Sequence, residues 1–195
     1  MRRRGFFAAW LAMAPCLAVP TRSHTAPGAA VPSRTSFPNV ELLNQDGKKL
    51  RFFDDLVRGN HTTVIGFIYA QCGDICPLTM SNMARVQALL GDKLGREVRL
   101  ASISLDPRRD TPAIMKGYAE RFDAAPGWQF LTGRPMDIDA VRRKLGAYDR
   151  DPAIDADKTQ HTGLLTYGNQ ARGRWSRVSA LADPQKILAS ITRWV

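Results

Sequence analysis

One segment organises this chain, and it reads VIGFIYAQCGDICPLT from residue 64 to residue 79. Its first six residues are apolar and β-rich, which predicts a strand buried on both faces of a sheet. Two cysteines, Cys72 and Cys76, follow the strand, and a proline and a threonine then open a segment with helical spacing. The unpaired amides and the dipole of a helix start favour a thiolate. The segment therefore predicts two activated thiols, suited to soft-metal binding or to thiol exchange.

The composition supports one folded domain. With 195 residues, of which 44% are apolar, the chain can build a single sizeable core. It has three cysteines, and one of them, Cys16, lies in the N-terminal leader. A fold stapled by disulfides needs more cross-links than the remaining pair can form, so we assign Cys72 and Cys76 a chemical role.

The charge balance is basic, with 28 Lys and Arg against 18 Asp and Glu and a net charge of +10. Four of the arginines lie in the first 22 residues, which contain no acid, and the other basic residues are spread along the chain. Nucleic-acid binding needs basic residues clustered with aromatic side chains or set in a recognisable motif, and neither pattern occurs. The basic excess suits an acidic protein or an anionic membrane surface, or is simply a solvated surface.

The chain divides into three regions. Residues 1–22 combine three successive arginines with about 14 apolar residues, fewer than the roughly 20 of a membrane-spanning helix. They predict an export signal, of the general or the twin-arginine type, with an uncleaved membrane anchor as the alternative. Residues 23–36 contain Pro, Gly and Ser without periodicity and predict a flexible linker with a solvated His24. Residues 37–195 form the predicted domain.

The predicted domain alternates strands and helices. The first half is predicted to contain a hairpin with strands at 37–43 and 49–53, a strand at 64–69, a helix from Thr79 and a strand at 98–105. A helix from Pro112 follows, with Ile114, Met115, Tyr118 and Phe122 on its inner face, and then a strand at 128–131, a helix from Pro135 to Gly146 and an irregular region at 147–161. The chain ends with strands at 164–167 and 175–178 around a Gly168-Asn169 turn and a helix from Asp183 to Trp194. This order implies an α/β fold with a largely parallel but mixed central sheet, helices on both faces and an N-terminal β-hairpin at the edge. Two thiols at the end of the first buried strand make the predicted fold thioredoxin-like.

The spacing of the two cysteines leaves two outcomes open. Residues four apart on a helix lie about 5 to 6 Å from each other at Cβ, so both sulfurs can bind one ion. If Cys72 lies in the loop before the helix, the pair can instead form a disulfide. Two thiolates select soft ions such as Cu(I), and an added imidazole would also accommodate Cu(II).

A third ligand has to come from elsewhere in the chain. His161 is the candidate, because it precedes a strand that would lie near the first buried strand, although a surface histidine is the simpler interpretation. His61 precedes a strand at the end opposite to the cysteines, so we reject it. Met80 and Met83 are soft donors, but their spacing matches the buried face of a helix.

Three blocks of this sequence, residues 67–79, residues 102–112 and His161-Thr162, resemble the signature of the Sco/SenC family. Members of that family are thioredoxin-fold copper chaperones that mature the binuclear copper site of cytochrome c oxidase. The resemblance runs from residue 37 to the end, and it implies that Cys72, Cys76 and His161 bind copper, as Cu(I), Cu(II) or both. It also implies a partner, the oxidase subunit with the binuclear site or another copper acceptor, and a location in the periplasm or on the outer face of the inner membrane.

The chain departs from the family pattern at two places. Gly73 stands where the family usually has proline, which should loosen the loop of residues 70–75, called the cysteine loop below. The run Tyr167-Gly168-Asn169 lacks an acidic residue often found in the corresponding turn. The block at 106–112 reads as a turn followed by a capped helix, and its place beside the cysteine loop suggests a supporting or docking role for Asp106.

Two functions use the same residues. The first is copper delivery outside the cytoplasm through Cys72, Cys76 and His161. The alternative is an enzyme, a thiol-disulfide reductase in which one cysteine attacks a disulfide of the acceptor and the other resolves the intermediate. A redox-sensing or copper-sensing role is a further alternative. A peroxidase is disfavoured, because it usually has a threonine three residues before its reactive cysteine, where this chain has Tyr69.

Overall fold

A seven-stranded mixed sheet forms the centre of the computed structural model, which describes residues 37–71, 75–157, 163–193 and 195. The strands are β1 (Glu41–Asn44), β2 (Lys49–Arg51), β3 (Thr62–Ile68), β4 (Val98–Ser104), β5 (Trp128–Gly133), β6 (Leu164–Asn169) and β7 (Arg174–Ser179). The helices are α1 (Ile75–Leu90), α2 (Pro112–Arg121), α3 (Pro135–Lys144), α4 (Pro152–Ala156) and α5 (Pro184–Thr192), with a π-helical segment at Phe52–Val57 and a 3-10 turn at Gly91–Lys93.

The predicted leader and linker, residues 1–36, lie outside the described residues. The predictions of an export signal or anchor at 1–22 and of a linker at 23–36 therefore stay predictions. Within the ranges that the structure describes, none of the helices is both long enough and apolar enough to cross a membrane.

The strands lie in the order β2-β1-β5-β4-β3-β6-β7. Only the middle strands are parallel, because β4 pairs in parallel with β3 and with β5, whereas the other four pairings are antiparallel. The mixed sheet and the N-terminal hairpin at its edge are confirmed. The expectation of a largely parallel sheet holds only for β3, β4 and β5, because hairpins extend the sheet on both sides of them.

Helices cover both faces of the sheet, as predicted. One core lies under α1, α2 and α5, where buried side chains such as Met80, Tyr118 and Ile187 pack on Val64 and the other residues of that face. The second core lies under α3 and the π-helical segment and contains Ile65, the next residue along β3. Alternation along one central strand thus supplies both cores.

Helix α1 begins at Ile75, four residues before the predicted start at Thr79. Cys76 is consequently the second residue of the helix. Met80 and Met83 are buried in the core, as their spacing predicted, and the Oγ of Ser102 lies 3.9 Å from the Sδ of Met80.

Helix α2 starts where the sequence predicted, but one of the residues predicted to lie on its inner face is exposed. The Oγ1 of Thr111 accepts a hydrogen bond from the backbone N–H of Ile114, and Pro112 is the first helical residue. The side chain of Ile114 itself is 42% exposed, whereas Met115 and Tyr118 are buried. The assignment of Ile114 to the inner face was wrong, since the buried face of α2 is formed by Met115, Tyr118 and Ala119.

The irregular region predicted at 147–161 contains the short helix α4. Asp151 caps it by accepting a hydrogen bond from the N–H of Ala153. The helix is held against α3 by an ion pair in which Nη1 and Nη2 of Arg142 donate to the two carboxylate oxygens of Asp155, with 2.7 Å between Nη2 and Oδ2. Only 9% of the Arg142 side chain and 11% of the Asp155 side chain are exposed.

The Gly168-Asn169 turn was a wrong prediction, because both residues belong to strand β6. A Cβ at position 168 would lie 2.3 Å from Cδ2 of Trp175 and 2.5 Å from the carbonyl oxygen of Arg174. The glycine is therefore required by the indole of the neighbouring strand. The chain reverses at residues 170–173 instead, where Gly173 has φ +57°.

Replacing Gly168 by Ala should lower the free energy of unfolding by about 3 kcal/mol, because the new methyl group overlaps both the indole and the backbone of β7. The control is Gly117→Ala in α2, where nothing lies within 4 Å of the added Cβ. That change should stabilise the protein by about 0.5–1 kcal/mol, since alanine favours the helix. Urea unfolding of both variants measures the difference, and equal stabilities would contradict the packing argument.

Replacing Asp155 by Asn should destabilise the fold near neutral pH by about 2 kcal/mol. Its hydrogen bonds with Arg142 lower the pKa of Asp155 from 3.8 to about 2 in the folded protein. The stabilisation is thus complete above the unfolded pKa of about 4 and is lost as the pH falls through 2. Urea unfolding at several pH values should show the wild type and the variant converging in acid, with the exposed Asp92→Asn as control.

Candidate metal centre

Strands β3 and β6 bring the chain before Cys72 and the chain after His161 to one end of the sheet. Strand β3 ends at Ile68, just before the cysteine loop, and β6 begins at Leu164, just after His161. The two strands pair in antiparallel fashion, with Gly66 opposite Leu165. The chain therefore leaves β3 towards Cys72, and enters β6 after His161, at the same end of two adjacent strands. This end of the sheet is called the cysteine end below.

Cys76 is the predicted ligand that the structure describes. It lies in the first turn of α1 with its side chain fully buried, in the same apolar core as Ile68 and Met80. At this position the helix dipole favours negative charge on the sulfur. Cys76 is thus packed into the core at the start of α1, in the segment where the sequence predicts that a strand passes to a helix.

Cys72, Gly73 and His161 lie outside the described residues. The assignment of Cys72, Cys76 and His161 as a ligand set, or of the two cysteines as a redox pair, accordingly stays a prediction. Among residues 37–71, 75–157, 163–193 and 195, no three His, Cys, Asp or Glu side chains come together in a group that could hold a metal ion.

His61 lies at the opposite end of β3 from the cysteine loop, as expected. Its ring is buried, and Nε2 lies 2.9 Å from the carbonyl oxygen of Leu56. Burial lowers the pKa of His61, because the interior disfavours the charged imidazolium. The residue fits a structural role.

Asp106 follows strand β4 at the cysteine end. Its carboxylate faces its own loop, with Oδ2 3.7 Å from Nε of Arg109, and its backbone N–H donates to the Oγ of Ser104 over 3.0 Å. Its contacts among the described residues join it to Ser104, Arg109 and Asp110, and none of them reaches the described part of the cysteine loop. Its supporting or docking role stays a prediction.

The carboxylate that does contact the cysteine loop is Asp110, which the sequence analysis missed. Only 1% of Asp110 is exposed, and both of its oxygens lie 3.3 Å from the backbone nitrogen of Ala70. The Oγ of Ser104 donates to Oδ2 over 2.6 Å. Burial raises the pKa of Asp110, whereas its hydrogen bonds with Ser104 and Ala70 act in the opposite direction. One signal in the sequence could have indicated Asp110. It is an acidic residue directly before Thr111, and Thr111 caps α2 without it.

A groove opens beside the cysteine end, on the face covered by α3. It has a volume of about 70 Å³, and Gly163, Phe67 and Leu105 line it from the sheet and its loops. The Arg142–Asp155 pair forms part of the opposite wall. Gly163, which lines the groove, stands two residues after His161 in the sequence.

Comparisons with known proteins agree with this architecture. The SCO1/SenC family model matches residues 33–195. The chain is 31% identical over 158 residues to an SCO2-like protein of Rickettsia felis, covering 77% of this chain and 72% of the relative. It is 30% identical over 142 residues to a putative copper-binding protein of Stutzerimonas stutzeri, covering 69% and 65%. The chain thus spans about two thirds of the length of these relatives.

Solved structures show the same fold. ScoI of Bradyrhizobium japonicum, solved with copper bound, superposes with a TM-score of 0.64 at 32% identity, over 80% of this chain and 96% of that chain. A SCO1/SenC family lipoprotein of Bacillus anthracis has a TM-score of 0.65 at 23% identity, over 84% and 96%. The predicted thioredoxin-like fold is confirmed, and it defines an α/β protein with a thiol at a strand-to-helix junction. The chain belongs to the SCO1/SenC family.

Proposed function

We propose that this protein binds copper through Cys72, Cys76 and His161 and delivers it to a copper acceptor outside the cytoplasm. The observation that carries the proposal is the position of Cys76, buried in the first turn of α1, the helix that follows β3, while β3 itself pairs with β6, the strand that follows His161. Membership of the SCO1/SenC family supports it, as does the copper bound to the ScoI structure at 32% identity.

Copper is the cargo in this proposal and passes through the site. Two thiolates suit Cu(I) because both are soft ligands, and the imidazole of His161 completes a set of three that holds the ion more tightly than any two of them. A cysteine thiol must lose its proton before it can bind the ion, so uptake of copper releases protons. The dipole at the start of a helix favours the resulting thiolate and therefore favours uptake. The ion then moves to the acceptor by exchange of one ligand at a time.

The acceptor we propose is the cytochrome c oxidase subunit that carries the binuclear copper site. Support comes from the resemblance of the three sequence blocks to the Sco/SenC signature. The groove lined by Phe67, Leu105 and Gly163 is a surface that an acceptor could contact during delivery.

A second candidate is a thiol-disulfide reductase acting on the cysteines of the same acceptor. What favours it is that the body of the chain holds two cysteines and both lie in one strand-to-helix junction. One thiolate would attack the acceptor disulfide, and the second would resolve the mixed disulfide, giving a Cys72–Cys76 disulfide and a reduced acceptor dithiol. A copper-sensing or redox-sensing role would use the same site.

We also propose that the chain is exported and acts in the periplasm or on the outer face of the inner membrane. The basic residues and short apolar run of residues 1–22 support this proposal. An export route also gives the protein access to an oxidase subunit facing that compartment.

Removing any one of Cys72, Cys76 or His161 as an Ala variant should reduce copper uptake by the purified, reduced chain from about one ion to well below half, since two ligands hold the ion weakly. Metal analysis measures the content. The absorption spectrum of the Cu(II) form should lose its thiolate-to-copper band in both cysteine variants. Matched controls are His24→Ala in the predicted linker and Cys16→Ser in the leader, both of which should keep full uptake.

The same variants separate the two candidate functions. Copper delivery predicts that His161→Ala abolishes oxidase maturation although both thiols remain. A reductase predicts that His161→Ala still reduces the acceptor disulfide at the wild-type rate. A wild-type chain that takes up no copper would contradict the copper proposal.

Fusing residues 1–36 to a periplasm-dependent reporter should give an active reporter, because the leader has the charge and length of an export signal. Replacing Arg2, Arg3 and Arg4 by Gln should reduce export at least several-fold. Changing only Arg3 and Arg4 to Lys distinguishes the twin-arginine route, which this change blocks, from the general route, which tolerates it. A reporter that stays in the cytoplasm would contradict the localisation.

A further inference from the structure

Asp110 joins three parts of the fold at the cysteine end. It stands at the end of the loop between β4 and α2, next to the Thr111 cap of α2. Its oxygens face the backbone nitrogen of Ala70 from the cysteine loop and the hydroxyl of Ser104 from the last position of β4. One buried carboxylate thus holds the cysteine loop, β4 and α2 together.

The backbone of Ala70 needs such a partner because the sheet no longer provides one. The last ladder contact here runs from the N–H of Leu105 to the carbonyl oxygen of Ile68, over 2.6 Å. Beyond that point the β3 chain leaves the sheet, and its half-buried N–H groups must find acceptors elsewhere. Asp110 supplies the acceptor two residues before Cys72.

Ser104 is committed to the same network. Its Oγ accepts the N–H of Asp106 over 3.0 Å, which directs its own proton to the carboxylate of Asp110, 2.6 Å away. The N–H of Asp110 in turn donates to the carbonyl oxygen of Asp106 over 2.9 Å. The loop between β4 and α2 is therefore closed on itself, so it forms a rigid base for the contact with Ala70.

We propose that Asp110 is a positioning residue that anchors Ala70, the first residue of the cysteine loop, and thereby favours closure of the Cys72–Cys76 pair on an ion or into a disulfide. Cys76 is fixed from the other side by its place in α1. With both ends of the loop held, less conformational entropy is lost when the sulfurs close on an ion or on each other.

This inference rests on the proposed function for its copper readout, and two further readouts on the metal-free protein are independent of it. They are the exchange rate of the Ala70 amide hydrogen and the equilibrium of the Cys72–Cys76 pair with glutathione. If wild-type protein takes up no copper, the copper proposal fails, and these two measurements still decide the role of Asp110.

Asp110→Ala removes the acceptor for the Ala70 N–H. We expect the Ala70 amide to exchange at least about tenfold faster and the Cu(I) dissociation constant to rise about tenfold, the effect of one lost hydrogen bond. The Cys72–Cys76 disulfide should become about tenfold easier to reduce, a change of about 30 mV in midpoint potential. Asp110→Asn keeps an acceptor oxygen for Ala70 and should stay within about threefold of the wild type.

The matched control is Asp137→Ala, which removes another buried carboxylate, one paired with Arg134 in the first turn of α3. This control should lower stability and leave all three readouts unchanged. If Asp110→Ala does not fold, Ser104→Ala takes its place, because it removes one support of the carboxylate and should weaken Cu(I) binding about threefold. Two results would overturn the proposal. One is that the three readouts of Asp110→Ala, or of its substitute Ser104→Ala, equal those of Asp137→Ala. The other is that Asp110→Asn is as impaired as Asp110→Ala.

Discussion

The pairing of β3 with β4 on one side and with β6 on the other is the constraint on which the rest of this structure depends. Parallel pairing with β4 brings the starts of α1 and α2 to one end of the sheet. Antiparallel pairing with β6 brings the chain after residue 162 to the same end. The register is secure because neighbouring residues Val64 and Ile65 fill different cores, and a slip by one residue would exchange them.

Two carboxylates near this end, those of Asp155 and Asp110, have different kinds of partner and therefore different roles. Asp155 is neutralised by Arg142, so it holds α4 on α3 and keeps a low pKa. Asp110 is held instead by a serine hydroxyl and a backbone amide. An ion pair of this kind fixes two helices to each other. A carboxylate that accepts a hydrogen bond from the cysteine loop can set the position of that loop, which is why Asp110 matters for the thiols.

Much of the fold follows from local patterns. The hairpin, β3, β4, the Thr111 cap and the Asp183 cap lie where alternation, turn residues and capping residues indicate, because these signals act within a few residues. The order of strands and helices then limits the architecture to a mixed α/β sheet. The site was predicted less completely. The two cysteines lie only four residues apart and can be recognised, whereas His161 required a resemblance and Asp110 was not found.

Residue order alone was enough to indicate the strand-to-helix junction with its two thiols and the helices on both faces, since each depends on neighbours along the chain. Contacts between distant segments decided the rest. Gly168 reads as a turn residue but belongs to β6, because the indole of Trp175 occupies the space of its Cβ. Asp110 reads as part of a cap but binds Ala70, 40 residues earlier. Such contacts exist only once the sheet has formed, so no pattern within a few residues can reveal them.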